Sequence, residues 1–378
     1  MEQNKKKYLL LFLRTGGGHL APAKAISEYY KKYRSGEIEP VLYDGFEEST
    51  KLIKNIVVDG YRILQDKSRF IFSLIYAVHK IKLVAQIASS LVNFFVEKKI
   101  EEKILETNPD KIVIVHFFLI KAVNNTLRKH NLNIPVITVV TDPFTAHPIW
   151  FLNKNQNFVS FSDSLKDYII KKGVEKEKIK VLPFPLSERF SGIPINGEKV
   201  QIKEQFGFKS DKIVLLLGGA DGIPSGLNIL KNIYKNKIDY EVAIVCGNNK
   251  ELFNKVAKWK ERNKVQSLKI FGFTDKIYEL INISGVIITK CGASTIMEIL
   301  ISKKIPVVSS YLWEQEKGNV EFIVENKLGV YETKFSHLPQ IIDNLFRDGE
   351  KFHNPKIKIE NGTELLANYI GEFELENN

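Results

Sequence analysis

Cysteine is scarce in this chain: Cys246 and Cys291 are the whole complement, and no C-x-x-C pair occurs. A disulfide framework and a cysteine-built zinc site are thereby excluded, and a reducing compartment, the cytoplasm, is expected. Long apolar runs are missing too. None reaches the roughly 18 residues that a membrane-spanning helix needs, so an integral membrane protein is not expected. The apolar run at 8–13, preceded by Lys5, Lys6 and Lys7, imitates a signal peptide. Arg14 and the glycines at 16–18 end it too early, and it reads as a buried first strand. No zinc-finger spacing, basic zipper or RRM-type aromatic signature is present, which argues against the common nucleic-acid modules. Acidic residues vanish altogether between 67 and 96.

What is present is ample apolar material and an excess of positive charge. With 378 residues, 44% of them apolar, two or more domains with full cores are expected. A net charge of +11 favours an anionic partner: a phosphorylated substrate, an anionic lipid surface or nucleic acid, the last disfavoured by the missing modules.

Residues 285–319 carry the clearest pattern. The run Gly285-Val-Ile-Ile-Thr289 predicts a buried strand. It ends at Lys290-Cys-Gly-Ala-Ser-Thr295, where a helix is predicted to begin, capped by Ser294 or Thr295, with Ile296, Ile299 and Leu300 on its apolar face. Residues with little or no side chain let backbone N–H groups and the positive helix end approach a diphosphate. Glu298, one turn in, is placed to accept both hydroxyls of a ribose. Residues 313–319, Trp-Glu-Gln-Glu-Lys-Gly-Asn, read as a second loop whose amide and carboxylate groups suit sugar hydroxyls. A strand, loop and helix with one glutamate is also common in other α/β proteins, so the pattern alone leaves both readings open.

Upstream, a strand at 7–13 leads into Gly16-Gly17-Gly18-His19, then a helix with Pro22 in its first turn, then a strand at 41–44. This is a βαβ unit with a glycine-rich turn at its carboxyl edge, where ligands gather. The glycines also suit a plain tight turn, and the histidine a plain helix cap. Residues 50–104 read as amphipathic helices in which Lys67, Arg69, Lys80 and Lys82 alternate with Phe70, Phe72, Ile75, Tyr76 and Phe94. That pattern fits either a membrane-facing surface or ordinary core helices with solvated lysines. Strands are predicted at 111–116, 135–142, 158–162 and 178–184, with helices at 119–130 and 165–172. The cluster from Thr141-Asp142 to His147-Pro148-Ile149-Trp150 closes the sheet edge. Prolines 183, 185 and 194 with glycines 192 and 197 mark a linker over 183–200. A second sheet follows, with strands at 212–217, 241–246, 268–271 and 285–289, and Gly218-Gly219 opens a second glycine turn.

Three blocks, Lys290-x-Gly292-x-x-Thr295-x-x-Glu298, Glu314-Gln315-Glu316-x-Gly318-Asn319 and Val324-Glu325-Asn326-x-x-Gly329, resemble the donor half of monogalactosyldiacylglycerol synthases and processive diacylglycerol glucosyltransferases. The more distant relative is the lipid-linked N-acetylglucosaminyltransferase of peptidoglycan synthesis. Gly16-Gly17-Gly18-His19-x-x-x-Ala23 and the Thr141-Asp142, His147-Pro148-x-Trp150 element are similar to the acceptor half. Cys291 stands where the family usually has proline, and Ala293 where it usually has a second glycine; both are small.

The resemblance implies an α/β fold of the GT-B kind, two doubly wound Rossmann-like domains facing a cleft. They would be an acceptor and membrane-docking domain at 1–185 and a UDP-sugar donor domain at 201–352, with a tail at 353–378 folding back on the first. It implies an inverting transfer of a hexose from UDP-glucose or UDP-galactose to diacylglycerol. The protein would be peripheral at the cytoplasmic face of the membrane, bound to an anionic lipid surface and not to nucleic acid. The alternatives are another lipid-linked acceptor or a UDP-sugar 2-epimerase-like enzyme. No DxD-like acidic pair sits in a sugar-nucleotide context, so no metal and no cofactor are expected. The donor-binding residues implied are Gly218, Gly219, Phe273, Lys290, Gly292, Ala293, Ser294, Thr295, Glu298, Gln315, Glu316 and Asn319. Gly17, Gly18 and Trp150 would form the acceptor loop, and His19, Asp142 and His147 are the catalytic candidates. An acceptor hydroxyl that becomes a glycosidic oxygen must lose a proton. His19 is favoured as the base, with Asp142 orienting it or the acceptor.

Overall fold

The computed structural model describes residues 5–14, 17–46, 82–192, 196–352 and 354–374. The chain divides into two compact units, one formed by Met1–Glu188 with Asn361–Asn378, the other by Arg189–Glu360.

Continuous apolar runs make buried parallel strands in both. In the first unit β1 (Lys6–Phe12) is buried from Tyr8 onward, and β3 (Lys111–Ile114) along its whole length. This is what a sheet covered on both faces requires. Between them come α1 (Gly17–Tyr33), β2 (Ile38–Asp44) and α2 (Lys82–Thr107). After β3 follow α3 (Leu119–Lys129), β4 (Val136–Val139), β5 (Asn157–Ser160), α4 (Asp163–Lys171) and β6 (Ile179–Val181). The sheet is parallel throughout in the order β2-β1-β3-β4-β5-β6. The chain therefore reverses its winding between β1 and β3, where Leu11 lies opposite Ile114. Such a reversal opens a crevice at the carboxyl ends of the two strands.

The helix α1 starts earlier than the proline suggested. Gly17, Gly18 and His19 are its first residues, and Pro22 lies inside it, with no N–H to return to the Gly18 carbonyl. The basic and aromatic positions at 67–80 lie outside the described residues, as do Thr15, Gly16 and the side chains of Lys82 and Phe94. Among the described residues no helix is long and apolar enough to cross a membrane.

The second unit opens with α5 (Asn196–Gln205), a helix that the proline-rich linker reading did not anticipate. It continues through β7 (Ile213–Leu217), α6 (Gly226–Ile233), β8 (Glu241–Val245), α7 (Lys250–Arg262), β9 (Leu268–Phe271) and α8 (Ile277–Ile283). Then come β10 (Val286–Lys290), α9 (Ala293–Ile301), β11 (Ile305–Ser310), α10 (Trp313–Glu325), β12 (Val330–Tyr331) and α11 (Leu338–Asp348). Its parallel sheet runs β12-β11-β10-β7-β8-β9, so the winding reverses between β10 and β7. Each unit thus has one crevice-forming position, set by topology alone.

The chain finally returns to the first unit as α12 (Thr363–Glu372). The Tyr30 hydroxyl donates to the Ala367 carbonyl at 2.6 Å, and the Lys111 ammonium donates to the Gly371 carbonyl at 2.7 Å. Lys111 is 2% exposed, and its charge sits at the negative end of the helix, a place where carbonyls lack intrahelical donors. Asn361 clasps the segment before the helix: its Oδ1 accepts from the Leu186 N–H and its Nδ2 donates to the Leu186 carbonyl, both at 3.0 Å.

Candidate functional site

In the first unit the winding reversal gathers His19 from the start of α1, Val115 and His116 from the end of β3, and Thr141 and Asp142 from the end of β4. His19 Nδ1 lies 2.9 Å from the Val115 carbonyl oxygen and 2.7 Å from Thr141 Oγ1. A carbonyl only accepts, so Nδ1 carries the proton and Nε2 presents a bare lone pair. The His116 ring lies against it, 4.3 Å between centroids, and Trp150 lies 6.3 Å away. Burial pushes the His19 pKa down to about 4 against the opposing Val115 hydrogen bond, so the ring is neutral at physiological pH.

The other two histidines of this region carry the opposite tautomer. His147 caps the short helix Pro148–Phe151, its Nδ1 accepting from the Ile149 N–H at 3.2 Å. His116 Nδ1 accepts from the Phe118 N–H at 3.3 Å. In each neutral ring the proton then resides on Nε2, so neither offers a free lone pair without giving up a backbone bond. Asp142 is buried, and its Oδ2 accepts from the indole N–H of Trp150 at 3.1 Å. It therefore fixes Trp150, which is fully buried. The groups on His19 Nδ1 are Val115 and Thr141; of the two roles expected of Asp142, orienting His19 or orienting the acceptor, the bond to His19 Nδ1 is made by these residues instead. Gly17 and Gly18 form the first turn of α1, and a methyl on Gly18 would meet nothing within 4 Å, so backbone approach there is open.

In the second unit the reversal lies between β10 and β7. Gly218 is required sterically, since a Cβ there would stand 2.2 Å from the Gly222 carbonyl oxygen. Gly219 has φ of +80°, and a methyl on it would lie 3.9 Å from Thr295 Oγ1. The glycine turn after β7 and the first turn of α9 therefore face one another. The cap of α9 is Gly292, which has no side chain to satisfy the first N–H groups; Ser294 and Thr295, expected as caps, lie inside the first turn with Ala293. The Ser294 hydroxyl is buried without a partner.

The loop before α9 is held from behind. Asn319, 1% exposed, donates from Nδ2 to the Cys291 carbonyl at 2.8 Å. The Cys291 thiol packs with Ile296, Leu300, Val308 and Val320, and burial keeps its pKa well above the usual thiol range, so it is inert filler where a proline would otherwise stand. Glu316 Oε2 accepts from the Leu312 N–H at 2.5 Å, and its Oε1 lies 3.4 Å from the Lys290 ammonium. Residues 313–319, expected as a loop, are instead the first two turns of α10, and Gln315 lies in the first of them. Gln, Glu and Lys favour a helix, and Gly318 is tolerated because it is buried. Phe273 stands apart, 73% exposed beyond the end of β9, two strands or about 10 Å from β7.

Glu298 completes this arrangement. It follows Ser294 and Thr295 by four and three residues, which puts it on their face of α9. A helical side chain leans toward the N-terminus, so its carboxyl group points back to the loop. Among the described residues it has no hydrogen-bonding or ion-pair partner, and burial pushes its pKa from 4.5 to about 8. The group is poised to accept hydrogen bonds that the protein itself does not supply. Among the described residues no cluster of three His, Cys, Asp or Glu side chains is placed to hold a metal.

Comparison with known proteins gives two matches in chain order. Residues 19–186 match the family profile described as monogalactosyldiacylglycerol (MGDG) synthase, and residues 213–367 the glycosyltransferase family 28 C-terminal domain. The chain is 29% identical over 351 residues to a probable chloroplastic monogalactosyldiacylglycerol synthase of Nicotiana tabacum, covering 90% of this chain and 64% of that protein. It therefore spans less than two thirds of the tobacco relative. It is 28% identical to the processive diacylglycerol beta-glucosyltransferase of Bacillus cytotoxicus, over 95% of this chain and 87% of the relative. The crystal structure of Anabaena HepE in complex with UDP-glucose superposes with a TM-score of 0.56 at 14% identity, over 96% of this chain and 94% of that one. At that identity the likeness speaks for the fold alone, two Rossmann-like units of the GT-B class. The chain thus carries, in order, a match to the monogalactosyldiacylglycerol synthase model and a match to the glycosyltransferase family 28 C-terminal domain, and along nearly its whole length it is similar to monogalactosyldiacylglycerol synthases and processive diacylglycerol glucosyltransferases.

Proposed function

We propose that this protein transfers a hexose from a UDP-sugar to the free hydroxyl of diacylglycerol, with inversion at the anomeric carbon. The observation that carries this reading is the Glu298 carboxyl group, without a partner among the described residues, one turn inside the uncapped start of α9. A nucleoside diphosphate satisfies both features at once: its phosphates meet the free N–H groups and the helix dipole, and its ribose diol donates to the carboxylate. The names of the relatives support the donor and acceptor classes.

In the second unit Lys290 and the first turn of α9 stabilise the charge that grows on the departing UDP. Glu316 positions the Lys290 ammonium, and Asn319 holds the loop. In the first unit Nε2 of His19 takes the proton of the acceptor hydroxyl as the new C1–O bond forms and the bond from C1 to the UDP oxygen breaks. His147 and Asp142 keep structural duties there. No metal takes part in this reading. The protein works as a peripheral one at the cytoplasmic face, with the basic residues between 67 and 82 toward anionic lipid.

The test is UDP release from UDP-glucose and from UDP-galactose, with and without diacylglycerol in anionic vesicles. Release that depends on diacylglycerol is expected with at least one donor. Lipid-independent interconversion of the donor without UDP release would instead make the protein an epimerase.

A further inference from the structure

His19 is held by an unusual set of groups for a general base. A catalytic imidazole needs one nitrogen protonated and fixed so that the other is free, and a carboxylate often supplies that anchor. Here two uncharged oxygens converge on Nδ1: the Val115 carbonyl at 2.9 Å and the Thr141 hydroxyl at 2.7 Å. The nearest carboxylate in sequence to Thr141, Asp142, accepts from Trp150. His19 forms no other hydrogen bond among the described residues. Thr141 is 2% exposed, and His19 is the partner of its hydroxyl among the described residues.

The geometry points to Thr141 as a positioning residue of this site: the Val115 carbonyl sets the Nδ1–H tautomer of His19, and the Thr141 hydroxyl accepts from the same N–H and holds the ring in place, leaving Nε2 for the acceptor proton. The Val115 carbonyl can only accept, so the nitrogen facing it is protonated; the Thr141 hydroxyl, which can donate or accept, takes the accepting role beside it. When Nε2 takes a proton, the Nδ1–H bond becomes a stronger donor and both oxygens strengthen their hold on it, which stabilises the imidazolium with no buried negative charge. The neutral His116 ring, tilted at 54° beside it, adds no countercharge. The step balances: the acceptor oxygen loses its proton to Nε2 and gains the bond to C1, and the electron pair of the old bond leaves with UDP. This inference rests on the reading of His19 as the base.

The decisive variants are Thr141→Val, which keeps the shape and removes the hydroxyl, and Thr141→Ser, which restores it. Loss of one buried hydrogen bond to the ring should lower kcat about tenfold in Thr141→Val, and Thr141→Ser should recover most of it. The donor KM should stay as in the wild type, because the change lies in the first unit. Nitrogen NMR of histidine-labelled protein, with His19 assigned by His19→Gln, reads the tautomer without any turnover. The wild type should show Nδ1–H, and Thr141→Val should keep it with its proton resonance moved upfield, the mark of a weaker hydrogen bond, which Thr141→Ser should move back. A wild-type kcat in Thr141→Val, or an Nε2–H signal for His19 in the wild type, overturns the proposal. Should His19→Ala stay active while the resonance shift in Thr141→Val is seen, the assignment of the base falls and the positioning of the ring by Thr141 stands.

Discussion

The two winding reversals obey one topological rule and use it in opposite ways. At the first, between β1 and β3, the polar side chains are tied to the protein: His19 to Val115 and Thr141, His147 and His116 to backbone N–H groups, Asp142 to Trp150. At the second, between β10 and β7, the tied groups stand behind the loop and the exposed ones are left open. Asn319 and Glu316 fix the backbone, while the start of α9 is uncapped and Glu298 has no partner among the described residues. A base must keep a single tautomer through every turnover, so its surroundings must be satisfied beforehand. A site for a product that leaves must exchange partners, so its hydrogen-bonding capacity is met only when occupied. In the proposed reading the difference separates a reacting centre from a holding centre.

The comparison can be broken most forcefully at His19. His19→Ala should lower kcat by about 10²–10⁴-fold with donor KM unchanged, the usual effect of losing a general base. Steady-state kinetics with saturating vesicles decides it, and a variant with more than about a tenth of wild-type kcat moves the base to Asp142. Next in size is Glu298→Ala, which should weaken UDP binding by about 2–3 kcal/mol through the loss of two hydrogen bonds to a charged group, leaving the fold intact. Calorimetry and circular dichroism check the two halves of that statement.

A smaller effect sharpens the distinction between support and contact. Asn319→Leu removes the bond to the Cys291 carbonyl and should cost about 1–3 kcal/mol of stability, with donor affinity falling as a consequence of the loosened loop. Thermal unfolding must therefore show a loss for Asn319→Leu that Glu298→Ala does not share. The smallest concerns the cost of keeping Glu298 open. Its pKa is about 8 in the folded chain against 4.5 for a free glutamate, so its ionised form is disfavoured by folding. The stability it contributes is full below pH 4.5 and declines as pH rises toward 8. Glu298→Gln should accordingly stabilise the ligand-free protein at pH 8 and much less at pH 4, while still weakening UDP binding. Melting temperatures at the two pH values check it.

How much of this was legible in the sequence depends on the range of the interactions. The strand, loop and helix from Val286 to Ile301 could be read directly, because β-branched runs, small residues and helical spacing are local signals. The glutamate facing the loop followed from helical periodicity. The run 313–319 was misread as a loop, since polar composition and Gly318 conceal helix formers whose first turn is fixed by Glu316 bonding back to Leu312. The helix start at Gly17 was missed because Pro22 is a strong local signal overridden by the fold. The tautomers were not legible at all. His19 is set by atoms 96 and 122 residues away, and nothing in the cluster around Thr141 distinguishes the threonine that holds the ring from the aspartate that holds Trp150.

The division between the two centres is tested most directly by titrating UDP into the full-length wild type, His19→Ala and Glu298→Ala proteins by calorimetry. The account predicts that His19→Ala binds UDP as tightly as the wild type and that Glu298→Ala binds it about 30-fold or more weakly. Equal affinity in all three, or a loss confined to His19→Ala, would contradict it.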